Sequence, residues 1–219
     1  MSTRQHYDDA LAALHDQLND LGTFAATAVD RALAALAHQD MELARQIISD
    51  DRYTDEAEQK LHSHAVTLIA TQQPVARDLR SIIAAIAVAG ELERIADYGK
   101  AIAKLVIGPE GAPPLNPPAE LLNLGAAAQA VLVHSLRALA AIDEGAARAL
   151  FVEEERIDLI YKPLKANLAA SLATSPLGAA RAADLLFVAH NLERIADRAT
   201  NIAERIIYYT TGEVVQLNP

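Results

Sequence analysis

The chain has no cysteine and no tryptophan, and aromatic residues make up only 4% of it. The first absence excludes disulfides, thiolate metal sites and cysteine nucleophiles. Positive charge is also in deficit. Nineteen Lys and Arg face 29 Asp and Glu, for a formal net charge of -10. Phosphate backbones are gripped by an excess of cations, so nucleic acid is excluded as a main partner. Metal cations and basic protein surfaces remain compatible with that charge. No apolar run reaches about 18 residues without a charge, so no membrane span is expected. Met1 to Asp9 are polar and mixed in charge, unlike a signal peptide, and the expected location is the cytoplasm. Glycine-rich phosphate loops, Gly-x-Ser-x-Gly, His-Glu-x-x-His and the Glu-x-x-His of di-iron bundles are all missing. Nothing nominates a nucleophile or a general base, and an enzyme is not expected.

What the chain does have is alanine, leucine and a repeat. Apolar residues make up 52%, enough to build a core, and the preference is helical. Prolines and glycines crowd into one stretch, Gly108 to Pro118, which no helix can cross. The same order of elements is predicted on either side. Residues 5–38 form a helix, Asp40 caps a second that runs to about 71, and a third spans about 75–107. Beyond the break, 118–142 form a helix, Asp143 caps one running to about Thr174, and Ser175-Pro176 opens a last helix to about Tyr209. Leu36, Asp40, Ala44, Arg45 and Asp55 match Leu139, Asp143, Ala147, Arg148 and Asp158 at an offset of 103. The expected fold is all-α: a tandem repeat of two three-helix bundles, six long antiparallel helices in all. Its units are residues 1–107 and 118–219, joined by a linker at 108–117.

The repeat is sharpest in the third helix of each unit. Leu-Glu-Arg-Ile-Ala-Asp stands at Leu92–Asp97 and again at Leu192–Asp197, 100 residues apart, and Ile-Ala follows both times. Each copy carries Glu-x-x-x-Asp, two carboxylates one helical turn apart on one face. Leu92, Ile95, Ala96, Gly99, Ile102, Ala103 and Val106 form the inward face, so Glu93 and Asp97 lie off it. Their stripe continues through Lys100 and Lys104, which reads as a solvated face of mixed charge. The second stripe runs Glu193, Asp197, Thr200 or Asn201, and Glu204. It carries no lysine, although Arg194 and Arg198 flank it, and reads equally as a plain acidic face or a cation site.

The second helices add acids where apolar residues are expected. A helical wheel places Asp51, Asp55, Glu58 and His62 among Ile47, Ile48, Leu61, Ala65 and Ile69. It places Glu154 and Asp158 among Leu150, Phe151, Leu168 and Leu172. A carboxylate facing a core must be compensated. Arg45, Arg77, Arg80 and Arg148 are candidates, and so are metal ions. Oxygen-only ligands suit Mg, Mn, Ca or Fe. The alternative is that these helices are partly exposed. Of the other histidines, His64, His134 and His190 are expected at the surface or satisfied in the core. Tyr208 and Tyr209 are either helix-end packing or part of a dimer contact.

The doubled Leu-Glu-Arg-Ile-Ala-Asp-…-Ile-Ala, with Ala76-Arg77-Asp78-Leu79-Arg80 opening the third helix, closely resembles the PhoU family of phosphate-uptake regulators. The resemblance covers essentially the whole chain. It implies a cytoplasmic, usually dimeric protein that meets the membrane only through partners. Those partners are a phosphate ABC transporter ATPase and a sensor histidine kinase. The implied role is negative regulation of the phosphate regulon. It further implies clusters of Fe, Zn, Mn or Mg. By position the ligands are Asp51, Asp55, Glu93 and Asp97 in the first unit, and Glu154, Asp158, Glu193 and Asp197 in the second. The family's Asp-x-x-x-Asn-Ile-Ala-Glu is present as Asp197, Asn201 and Glu204. The first unit has Ala101 and Lys104 instead, which argues against a full cluster there. Two other readings compete: a metal-dependent helical-bundle enzyme, and a metal-free bundle neutralised by its own arginines.

Overall fold

A computed structural model of the chain describes residues 3–172 and 176–216. All secondary structure among them is helical. The helices are α1 (Thr3–His38), α2 (Met41–Asp50), α3 (Arg52–Gln72), α4 (Ala76–Ile107), α5 (Ala119–Ala141), α6 (Glu144–Ser171) and α7 (Pro176–Thr211). The repeat is visible in the turns as well as the helices. Gln39 and Ile142, 103 positions apart, both take left-handed backbone, with φ of 55° and 52°. Each is followed by a capping aspartate. Asp40 accepts from the Glu42 and Leu43 amides, and Asp143 from the Ala146 amide. Those bonds satisfy amides that the start of a helix leaves without partners. Pro176 opens α7 as expected, while Thr174 and the cap expected at Ser175 lie outside the described residues.

The second helix of the first unit is not one rod. It is interrupted at Asp51 into α2 and α3, but Asp51 keeps right-handed helical backbone and the buried face runs on across it through Ala44, Ile47, Thr54, Leu61, Ala65 and Leu68. The expected sector was too wide: Ile48 and Ile69, through which it was drawn, are only partly buried, and Asp55 and His62 lie at its edge. The buried face of α3 is Thr54, Leu61, Ala65 and Leu68; Asp55 and His62 are exposed. Glu58 is only partly covered. In the second unit Ala147, Leu150, Ile157, Leu164 and Leu168 form the buried face of α6, with Phe151 exposed.

Four helices make the centre. α1 packs on α4 and α5, and α7 packs on the same two; α4 and α7 pack directly on each other. The α2–α3 segment covers α1 and α4 on one flank, and α6 covers α5 and α7 on the other. One continuous set of buried side chains runs through both repeats, so the two units share a core. α5 is long and apolar enough to cross a membrane by length and composition. Here its Leu121, Leu124, Ala128, Val131 and Leu132 are buried in that core. The proline-rich stretch is tied down too. Leu115 is fully buried, Gln39 bonds both its amide and its carbonyl, and Arg181 of α7 donates to the Pro113 carbonyl.

Two glycines of α4 test the close packing. A Cβ on Gly99 would lie 3.3 Å from the backbone of Ala28 in α1, whereas one on Gly90 meets nothing within 4 Å. Gly99→Leu should destabilise the protein by about 1–3 kcal/mol through overpacking. Gly90→Ala should stabilise it by roughly 0.5–1 kcal/mol through helix propensity. Urea unfolding of the two variants, with opposite shifts in midpoint, checks this.

Candidate functional site

The sequence places acidic residues on both flanks, and the fold gathers them into two groups. On the first flank, α3 and α4 run antiparallel and bring Asp55 near Glu93. Burial pushes the Glu93 carboxyl above its ordinary range, and repulsion from Asp97 and Asp55 adds to that. Lys100 then reaches across to Asp51 and also to Asp97, at 3.1 Å. Its ammonium is held charged first by the Asp51 hydrogen bond. Asp51 lies one turn beyond the buried Ile47, in line with the inward face of the helix. Asp51 is thereby well covered, with 10% side-chain exposure, and compensated by lysine. Lys104 is exposed and lines a separate groove with Asp184 and Phe187.

On the second flank, α6 supplies Glu154 and Asp158 and α7 supplies Glu193 and Asp197. All four act on one another. Burial raises the Glu154 pKa, with repulsion from Asp158, Asp197 and Glu193 next in order. Burial likewise raises Glu193 most, while Arg194 and His190 pull it back down. One Glu193 carboxylate oxygen, Oε2, is buried with no hydrogen-bond partner. Three bases stand at the edges. Lys162 lies 2.6 Å from Asp158, Arg194 lies 3.2 Å from Asp197, and His190 lies 3.7 Å from Glu193 Oε2. Lys162 is exposed and four residues beyond Asp158, a spacing the sequence displays but the stripe on α7 alone does not reveal.

Other expected members of this group are used elsewhere. Thr200 is fully buried and donates to the Ala196 carbonyl. Asn201 donates to Glu91 of α4, at 3.3 Å, so its amide nitrogen serves the contact between repeats. Glu204 is half-buried one turn further along. The arginines expected to neutralise inward acids do other work. Arg45 pairs with Glu42, Arg148 pairs with Glu144, and Arg77 stacks over the Tyr209 ring. Arg80 lies beside Gly212. Tyr209 thus has a packing contact within the chain. His134 meets Glu153 at 2.8 Å and His64 meets Gln17 at 3.0 Å, satisfied at the surface as expected.

Glu91, absent from the expected set, is the most enclosed carboxylate of the two third helices. It is 8% exposed and takes Arg94 at 3.6 Å, Arg198 at 3.2 Å and Asn201. Tyr98 hydrogen-bonds to Arg194 and Arg198 beside it. Its signal was a broken match: Glu91 aligns with Asn191, and Arg198 with Tyr98, at the 100-residue offset.

As ligand chemistry, the two flanks differ. The first already holds a cation within its acids, Lys100, and does not fit a metal cluster. The second offers four carboxylates, two of which, Glu154 and Glu193, hold protons above the ordinary range, and a Glu193 oxygen without a hydrogen-bond partner. Its donors fit a hard or borderline cation. Among the described residues no three His, Asp or Glu side chains yet converge on one point. Carboxylates now turned toward Lys162, Arg194 and His190 would have to rotate to bind one.

The model of the PhoU domain matches residues 18–106 and again 121–206. The phosphate-specific transport system accessory protein PhoU homolog of Rhizobium meliloti (strain 1021) is 37% identical over 207 residues. The match takes in 94% of this chain and 87% of that protein. The crystal structure of the phosphate transport system regulatory protein PhoU from Streptococcus pneumoniae superposes with a TM-score of 0.88 at 28% identity. It covers 96% of this chain and 99% of that one. That of PhoU from Pseudomonas aeruginosa gives 0.89 at 28% identity, over 94% and 100%.

The raised carboxyls set a pH dependence. Glu93, Glu154 and Glu193 bind protons more tightly folded than unfolded. Their ionisation therefore opposes folding, and stability from these groups falls as pH rises above the ordinary glutamate range, about 4.3. Without divalent ions, melting temperature measured by circular dichroism should be higher at mildly acid pH than at neutral pH. The triple variant Glu93→Gln, Glu154→Gln, Glu193→Gln should flatten that difference.

Proposed function

This chain belongs to the PhoU family, and on that footing we propose that it is an accessory regulator of a phosphate transport system. The observation that carries this reading is the match of both repeats, over nearly the full chain, to proteins named for that role. The protein works in the cytoplasm as a homodimer. It couples the ATPase of a phosphate ABC transporter to a sensor histidine kinase and holds the phosphate regulon repressed when phosphate is plentiful. It reaches the membrane through these partners. It has no catalytic role; its acidic flanks are docking and ion-binding surfaces, suited to basic partner surfaces by charge.

On this reading the second flank is the metal site. Glu154, Asp158, Glu193 and Asp197 would hold the ion, with Glu204 two turns beyond Asp197. A bound Fe, Zn, Mn or Mg would supply positive charge that relieves the repulsion among these acids. Asn201 stays with Glu91. The first flank, with Asp51, Asp55, Glu93 and Asp97, works without metal because Lys100 supplies the charge. The metal-free reading thus applies to half of the molecule.

Two outcomes test this. Deleting the gene should derepress phosphate-starvation genes in high phosphate, read as reporter expression; unchanged expression would remove the regulatory reading. For the metal, elemental analysis of protein purified without chelator should find at least one equivalent. Glu193→Ala with Asp197→Ala should abolish it, and Glu93→Ala with Asp97→Ala should leave it. Metal below a tenth of an equivalent in the unaltered protein would sink the site.

A further inference from the structure

We propose that a small cavity in the core, lined by none of the acidic-flank residues, binds a small oxyanion through Arg205. The cavity measures about 110 Å³ and lies where α1, α4, α7 and the turn between α5 and α6 meet. His15 and Asn19 of α1, Ser81 of α4, Arg205 and Tyr209 of α7, and Ile142 of the turn line it, with apolar side chains completing the wall. A dry cavity of about 150 Å³ accepts benzene, so this space suits a ligand of a few heavy atoms rather than a nucleotide.

Its chemistry is the reverse of the rest of the protein. In a chain of net charge -10, no carboxylate lines this cavity. Arg205 is half-buried and makes no hydrogen bond or ion pair among the described residues; its Nε is buried without a partner. A guanidinium in that position presents a planar fork that fits oxyanions through paired N–H donors. Ser81 is buried, with His15 Nε2 at 2.8 Å from its hydroxyl. Burial keeps the His15 imidazole toward its neutral form, against the weaker pull of Asp16. When Nε2–H donates to Ser81, the serine hydrogen is left for a ligand. Asn19 and Tyr209 also line the cavity and carry an amide and a hydroxyl that can donate. One cation and several neutral donors around a small, partly apolar space are the features of an anion pocket. Ile142, a β-branched residue at φ 52°, fixes the turn that closes it. The inference is independent of the transport role and of any metal.

Isothermal titration of inorganic phosphate, sulfate and acetate into the full-length protein tests it. Saturable one-site binding of at least one of these is expected, and the tightest of the three assigns a tetrahedral or a carboxylate ligand. Arg205→Gln should weaken it at least tenfold and Ser81→Ala several-fold. Arg137→Gln, which removes an exposed charge outside the cavity, should change it less than twofold. Circular dichroism melting confirms that each variant is folded; if Arg205→Gln is not, Ser81→Ala carries the decision. No saturable binding of any of the three overturns the proposal. So does equal weakening by Arg205→Gln and Arg137→Gln, or, where only Ser81→Ala folds, binding unchanged by it.

Discussion

The crossing of α4 and α7 is the contact on which the rest of the fold depends. These two helices carry the repeated hexamer, and they run antiparallel: Glu91 meets Asn201, and Leu105 meets Arg181. Their buried faces are rich in small residues, Ala96, Gly99 and Ala103 on one and Ala196, Ala199 and Ala203 on the other. Small side chains let backbones approach closely, and Gly99 brings α1 into the same layer. A single enclosed carboxylate, Glu91, then sets the register. A buried charge without partners is expensive; Arg94 reaches Glu91 along its own helix, whereas Arg198 and Asn201 reach it only when the two helices sit as they do. Slipping the crossing by one turn would strip Glu91 of both partners from α7.

Most of the architecture was legible in the chain because it rests on periodicity and punctuation. The caps at Asp40 and Asp143, the proline break, and the inward face Leu92–Val106 all follow from local chemistry. The break at Asp51 was not legible. Nor was the width of the covered arc: Ile48 and Ile69 are only half-buried, and a sector drawn through them takes in residues at its edge. That is why Asp55 and His62, expected inward, face solvent. Asn201 and Glu91 escaped for a different reason. Each belongs to a contact between repeats, and alignment of the repeats compares residues that never touch. Lys100 stands in the α4 stripe, but its reach across to Asp51 is a contact between helices that no single wheel displays.

The two flanks show how a duplicated unit diverges electrostatically while its packing is kept. The inward residues of the hexamers stay identical because both sit in one core. Other positions are free to drift, and one such change helps to separate the flanks. Lys100 occupies the position of Thr200, which is buried and uncharged. With lysine there, two of the first group's acids, Asp51 and Asp97, hold an ammonium between them. With threonine, the second group has its bases at the edge instead, Lys162, Arg194 and His190. Two equivalent surfaces have come to place their cations differently.

The proline-rich segment between the repeats looks in sequence like a free tether. A tether of that length would let the second repeat leave its own chain and pack on the first repeat of a neighbour. That is domain swapping, a common fate of duplicated units that share a core. The burial of Leu115 and the grip of Gln39 and Arg181 oppose it. They hold the crossover on the surface of its own molecule and keep the effective concentration of one repeat near the other high. The segment therefore acts as a lock on intramolecular pairing, and oligomers of this protein should assemble from whole, unexchanged chains.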